Sequence, residues 1–385
     1  MSFDLSRGAS NAVSHAASNA ANQHFSQTYA EARAKFRAAA EAAGLAMDSH
    51  THPLTGHDGE ALAMDVVRDG PADAPALLLL TSACHGVEGF CGSGVQVALL
   101  QDAALRAAAR QAGVALLYLH ALNPHGFSWW RRTTHENVDL NRNFQDFSQP
   151  LPHNAAYADL AHLIVPAQWP PTPAVQQAVD DYIAQHGQRA WQAAVSSGQY
   201  GFADGVFFGG HQPTWSRQTL HQVLQGHGQR CARLGWIDFH TGLGPSGVGE
   251  RIFADKDDAA ALARARAWWG GPDGRAVTSI YDGSSTSAPL TGLMWNAATM
   301  DCPQAEYTGI ALEYGTVPFT EVLDALRGDQ WAQNHPAQAA PQRQALRQRV
   351  RDAFYIDTDA WKQQVLQQGT QAVLQGLQGL GRLSA

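Results

Sequence analysis

Two continuous apolar runs, "ALLLLTSA" (76–83) and "VALLYLHAL" (114–122), stand on either side of a stretch with helical spacing that ends on Gly113. Strands that are apolar at every position are buried on both faces. Strand, helix, strand in that order is the signature of a parallel sheet covered by helices. Two later runs have the same character, "RLGWIDFH" (233–240) and "TGIALEYGT" (308–316), while "ALAMDVVRDG" (61–70) alternates and closes on an Asp69-Gly70 turn signal. The expected fold class is therefore α/β, with a mixed, largely parallel central sheet flanked by helices.

The remaining elements fit around that sheet. Phe25, Tyr29 and Phe36 recur at helical spacing in 25–44, a stretch ended by Gly44. Trp361, Val365, Val373, Leu377 and Leu380 share one face of a predicted closing helix. Residues 1–23 are rich in Ala, Ser and Asn and read as a loose tail, leaving 24–385 as one domain. Pro, Gly, Gln and Trp crowd 148–230, which reads as an insertion or elaborated loops. At 385 residues, 45% hydrophobic and 16% charged, a sizeable core is within reach.

Charge and cysteine usage narrow the partners. Acidic residues outnumber basic ones 34 to 26 and no Lys/Arg run occurs, so nucleic acid and anionic membrane surfaces are poor partners. The four cysteines form no C-x-x-C pair, which argues against a thiolate zinc site and fits a reducing compartment. The first residues lack a basic segment followed by an apolar one, and no apolar run reaches membrane-spanning length. The expectation is a soluble, cytoplasmic protein.

Polar residues cluster where the strands end. His85 and Glu88 directly follow the 76–83 run, and in open α/β sheets ligands gather outside the carboxyl ends of strands. Alone, the pair also reads as a polar turn. His240 ends the 233–240 run, and its plain alternative is a core histidine bonded by Asp238. Two imidazoles and a carboxylate leave a fourth position open, as a catalytic zinc requires. Glu313 sits within the apolar 308–316 run, where a carboxylate is costly unless it is paired or has chemistry to do. Zinc lowers the pKa of water from about 15.7 to about 7, on the order of 12 kcal/mol toward hydroxide. A carboxylate must still move the proton. The alternative for Glu313 is a partner for an arginine. Between these points, "NPHGFSWWRRTTHENVDLNRNF" (123–144) gathers Arg131, Arg132, Asp139, Asn141 and Arg142. Guanidinium groups grip carboxylates or steady an oxyanion, and an aspartate can hold a ligating histidine's second nitrogen.

H-x-x-E at 85–88, "NP-x-G" at 123–126, Trp-Arg at 130–131, "VDLNRNF" at 138–144, "DFHTG" at 238–242 and "LEYG" at 312–315 occur in an order that resembles the zinc carboxypeptidase superfamily. More narrowly, the chain is similar to a bacterial subgroup whose substrates are mostly uncharacterised. The resemblance spans roughly residues 76–316 and implies a phosphorylase/hydrolase-like architecture holding one zinc ion. It implies His85, Glu88 and His240 as zinc ligands, Glu313 as general base, and Asp139 as partner of the first zinc histidine. Asn141 and Arg142 match the pair that binds a terminal carboxylate. Arg131 matches the arginine that polarises the scissile carbonyl, with Arg132 beside it as the competing alignment. Tyr281, 32 residues before Glu313, is the candidate for the mobile tyrosine of carboxypeptidases, although its local motif departs from theirs.

Three rival motifs carry less. Gly242, Gly244 and Gly247 match G-x-G-x-x-G, but "VGERIFAD" after them reads as a strand where a dinucleotide site needs a helix. Cys84 next to His85 points to the opposite face of a strand and reads as packing, and no G-x-S-x-G elbow exists. The glycine-rich, aromatic segment 196–212 reads equally as a substrate-covering loop or a surface connection. The expected activity is a zinc carboxypeptidase-type hydrolase acting on a small peptide. The alternatives are an N-acyl-amino-acid deacylase, similar to aspartoacylase or succinylglutamate desuccinylase, and a non-catalytic zinc-dependent binder. Glu313 argues against the binder, since binding alone has no use for a base.

Overall fold

Eight strands, β1 (Met47–Thr55), β2 (Ala61–Asp69), β3 (Ala76–Thr81), β4 (Val114–His120), β5 (Arg233–Ser246), β6 (Gly249–Phe253), β7 (Val277–Thr278) and β8 (Glu306–Gly315), form one sheet. Their order is β1-β2-β4-β3-β5-β8-β6-β7 in the computed structural model, which describes residues 21–271 and 276–381. The four central strands β4, β3, β5 and β8 run parallel. Antiparallel pairings of β1 with β2 and β2 with β4 close one side, and β6 pairs antiparallel with β8 on the other. The sheet is thus mixed and largely parallel, as the apolar runs predict.

The leucines of β3 explain why its run is continuous. Leu78 and Leu80 enter one hydrophobic core, with Phe90, Val95 and the closing helix. Leu77 and Leu79 enter a second core on the opposite face, with Trp236 and Leu220. Every residue of β3 and β4 is buried. The closing helix, Asp359–Gly381, buries the whole predicted stripe from Trp361 to Leu380.

Local structure adds detail to the sequence reading in four places. The helical stretch 92–113 is two helices, Gly89–Gln101 and Ala103–Gln111, because Asp102 caps the second by accepting from the Ala104 and Leu105 N–H groups. The helix of the 25–44 stretch begins at Tyr29, capped by Thr28, so Phe25 is buried ahead of it. β1 has no apolar alternation, since it is an edge strand left mostly to solvent. The segment 148–230 contains four helices: Ala155–Ile164, Pro173–His186, Gln188–Ser196 and Trp215–His227. Most of the expected loose tail, residues 1–20, lies outside the described residues, and Ala21 near its end is buried. No helix among the described residues is long and apolar enough to cross a membrane.

The chain leaves β3 for β4 on one side and later returns to β5 on the other. Strand order reverses there, opening a crevice at the carboxyl ends of β3 and β5. The last pair of the β3–β5 ladder is Thr81 with Asp238, so the turn after Thr81 and the last residues of β5 face each other across that crevice.

Candidate active site

After β3 the chain makes a single 3₁₀ turn, Gly86–Glu88, before helix Gly89–Gln101. The turn folds Glu88 back on His85, with Glu88 Oε1 2.8 Å from His85 Nδ1. From β5, His240 brings its Nδ1 to 3.0 Å from Glu88 Oε2. Ligand atoms of His85, Glu88 and His240 all lie within 4.8 Å of one another, and all three residues are buried. Each imidazole turns its other nitrogen to an aspartate: His85 Nε2 is 3.2 Å from Asp139 Oδ1, and His240 Nε2 bonds Asp238. Carboxylates behind the imidazoles fix the orientation of the rings, which is how metal-ligating histidines are supported. Both Nδ1 atoms and one carboxylate therefore converge on one point, a donor set that suits zinc. In sequence, Asp238 reads only as the partner of a core histidine; its place two residues before His240, on the same strand face, is the signal for its supporting role.

Cys84 also has a ligand atom within reach of Asp238 and His240. Burial pushes its thiol up, and the side chain packs in the core of Leu77 and Leu79.

The two buried glutamates of the crevice are held in opposite states. Glu88 accepts from the Thr241 N–H (3.1 Å) and from Arg132 Nη1 (3.2 Å). Burial pushes its carboxyl up, but the His85 charge and hydrogen bonds from His240 and His85 outweigh burial and hold it far below the usual carboxylate range. Glu313 lies opposite His240 in the parallel β5–β8 register and accepts one bond, from the Leu243 N–H at 3.0 Å. Burial, with the Glu88 charge, pushes it up to about 8 against the pull of His240, the Leu243 N–H and Arg132. Asp139 is buried too, yet the Arg132 and Arg142 charges and His85 hold it well below its ordinary value.

The 123–144 loop reaches this crevice because it is stitched to the turn after β3. Gly86 and Val87 donate to the carbonyls of Arg132 (3.1 Å) and Arg131 (2.9 Å). A Cβ on Gly86 would stand 2.1 Å from the Gly126 carbonyl carbon, and one on Gly89 would stand 2.5 Å from the Phe127 ring. Both glycines thus make room for the neighbouring loop.

The two arginines diverge. Arg131 donates from Nε to Asp329 Oδ2 (2.9 Å) and from Nη2 to Asn137 Oδ1 (2.9 Å), outside the crevice. The expected carbonyl-polarising position is therefore not reached by Arg131, because a buried carboxylate on helix Phe319–Asn334 captures it. Arg132 faces the crevice instead, donating from Nε to Asp139 Oδ2 (2.9 Å) and placing Nη2 2.8 Å from His85 Nε2.

Arg142 is held by carbonyl oxygens: Nη2 and Nε fork on Ser196 O at 2.6 and 3.2 Å, and Nη1 donates to Asn141 O at 2.8 Å. Carbonyl dipoles position a guanidinium without cancelling its charge. Asn141 accepts the Met294 N–H at 2.8 Å through Oδ1, which leaves its amide NH₂ for the crevice. Tyr281 does not join this group. It is 42% exposed and donates to the Asp255 carbonyl at 2.9 Å.

These residues line a cleft open to solvent, whose walls include His85, Arg132, Asn141, Arg142, His240 and Glu313. Ser196 and Phe207, from the glycine-rich 196–212 segment, also line it, and Gly198 packs against the Arg142 side chain. That segment is wrapped around Arg142. The Gly242–Gly247 stretch runs from β5 into β6 without a helix.

The family described as protein of unknown function (DUF2817) matches residues 25–368. No curated protein matches the chain. Among solved structures, the chain is similar to bovine thrombin-activatable fibrinolysis inhibitor in complex with tick carboxypeptidase inhibitor, at 10% identity and a TM-score of 0.44, covering 86% of this chain and 97% of that one. It is also similar to a metallo-carboxypeptidase from Burkholderia cenocepacia, at 11% identity and a TM-score of 0.41, covering 91% of this chain and 69% of that one.

Proposed function

The chain belongs to the DUF2817 family, whose description assigns no reaction, and from the site itself we propose that it is a zinc-dependent hydrolase of amide bonds next to a free carboxylate. The observation that carries this reading is the convergence of His85 Nδ1, His240 Nδ1 and Glu88, each imidazole backed by an aspartate. A zinc ion held by those three residues would supply Lewis-acid polarisation and make nearby water more acidic.

The other residues have work that fits such a reaction. Glu313, close enough to Glu88 to feel its charge, is the one carboxylate of the cleft held up near neutral pH. A cation beside Glu88 would offset that charge and draw Glu313 down to where it accepts a proton from water. Glu313 then returns the proton to the leaving nitrogen, the two-step duty of a general base and acid. Arg132 lines the cleft, and with the His85 Nε2 proton directed at Asp139 the Arg132 Nη2 hydrogens are available to it. There they can donate to the oxyanion that develops on the scissile carbonyl. The Nη1 and Nη2 hydrogens of Arg142 not engaged by Asn141 O and Ser196 O, together with the Asn141 amide, supply donors for the substrate's carboxylate.

The test is to incubate the zinc-loaded protein with N-blocked dipeptides that end in either a free acid or an amide. Cleavage of the free acids only, stopped by a chelator and restored by zinc, is the expected result. Equal cleavage of the amides, or none of either, overturns the proposal.

A further inference from the structure

The cleft continues on both sides of the candidate metal ligands, and both continuations are mainly apolar. One lies beyond Glu313. Ala311 shares the Glu313 face of β8, two residues before it, and Ile252, Ile280, Leu290 and Trp295 line the cleft there, with Ser287 and Ala288 also in its wall. This lobe adjoins the carboxylate anchor, since Trp295 follows Met294, whose N–H bonds Asn141, and Gly292 packs on the Arg142 backbone. The other lies toward Thr241. Phe319, Val322 and Leu326 present one face of helix Phe319–Asn334 to the cleft, with Leu243 and Phe354 beside them, and the Phe354 carbonyl accepts from Thr241 Oγ1. An amide whose carboxylate is gripped by Asn141 and Arg142 puts its leaving side chain in the first lobe and its acyl group in the second.

Among the described residues, neither lobe offers a charged side chain. The ionisable described residues that line the cleft are His85, Arg132, Arg142, His240 and Glu313, all of them accounted for in the reaction. A further carboxylate, Asp329, lies in a side cleft that shares Arg132, Phe207 and Leu326 with this one. It is already paired with Arg131 at 2.9 Å, so it has no free charge for a substrate ammonium. A free α-amino group in the acyl lobe would be stripped of water with nothing to replace it.

Resting on the hydrolase reading, we propose that the natural substrate is an N-acylated apolar amino acid, apolar on both sides of the amide and without a free α-amino group. The Leu326 and Val322 walls take the acyl chain, and Ala311, the smallest of the first lobe, leaves depth for an aliphatic or aromatic side chain.

Binding separates this from the reaction. Glu313→Gln protein loaded with zinc is titrated calorimetrically with N-benzoyl-leucine, N-benzoyl-lysine, N-benzoyl-aspartate and the free dipeptide Leu-Leu. N-benzoyl-leucine should bind at least about tenfold more tightly than each of the others, the scale on which pockets discriminate groups they do not match. Val322→Asp in the same background should narrow or reverse the gap to Leu-Leu without changing the leucine-over-lysine preference. Equal or reversed affinities in the parent variant overturn the inference. Wild-type turnover of the same panel reports on the other proposal: the affinity order kept with no cleavage sinks the hydrolase and leaves the ligand class standing.

Discussion

The carboxyl ends of β3 and β8 each carry one buried glutamate, and the two are tuned apart. Glu88 has two imidazole nitrogens, a backbone N–H and an arginine around it, at 2.8 to 3.2 Å. Glu313 has one backbone N–H, and burial with the Glu88 charge pushes it up. The same side chain is an ionised ligand where donors surround it and a proton carrier where they do not. The strand ends are alike; their neighbours decide.

The contrast breaks most completely at Glu88. Glu88→Ala should leave zinc content near zero and abolish turnover, as read by metal analysis and an amide-cleavage assay. Glu313→Gln should keep one zinc per chain while kcat drops by about 10²–10⁴-fold, the range of a positioned general base. If both variants lose zinc, or neither loses activity, the division of labour is wrong.

The adjacent arginines sharpen the comparison at a smaller scale. Arg132→Ala should lower kcat by about 10²–10³-fold, as for loss of an oxyanion donor. Arg131→Ala should leave kcat within a few-fold but destabilise the fold by about 3–5 kcal/mol, because Asp329 is left buried without its partner. Urea melts and kinetics on both variants check this.

The smallest effect is on pH dependence. In metal-free protein the Glu313 pKa is raised from 4.5 to about 8, so the folded state holds that proton more tightly than the unfolded chain does. Its contribution to stability is present below the ordinary carboxylate range and is lost as pH rises through about 8. Glu88, shifted the other way, contributes stability above the ordinary range that is lost as pH falls below it. The urea midpoint of metal-free protein should thus decline from mildly acidic to mildly basic pH, and Glu313→Gln should flatten the decline.

Much of the fold is legible because burial on both faces writes itself as nearly continuous apolar runs, mostly Leu, in β3 and β4. β1 is not, since an edge strand facing solvent need not alternate. The single helix expected over 92–113 hides a break, because Asp102 can cap a new helix only once the chain has turned there. In the site, His85, Glu88, His240 and Glu313 are visible as polar residues at the ends of apolar runs, and the structure brings them together. The arginine doublet is not resolvable in sequence, because the residue that pulls Arg131 aside is Asp329, 198 positions away. Tyr281 rests on the family resemblance alone, and the Asp255 carbonyl holds it elsewhere. The apolar lobes are unreadable for the same reason, being assembled from β6, β8, a loop and a helix that no local pattern connects.

The contact between Gly86 and Gly126 has a consequence for anyone who would rebuild this site. With no space for even a methyl group between them, the turn bearing His85 and Glu88 and the loop bearing Arg132, Asp139 and Asn141 behave as one part made in two pieces. Neither can be lengthened, swapped or diversified alone without displacing the other. A graft onto another scaffold, or a library that varies one of these loops, has to carry both.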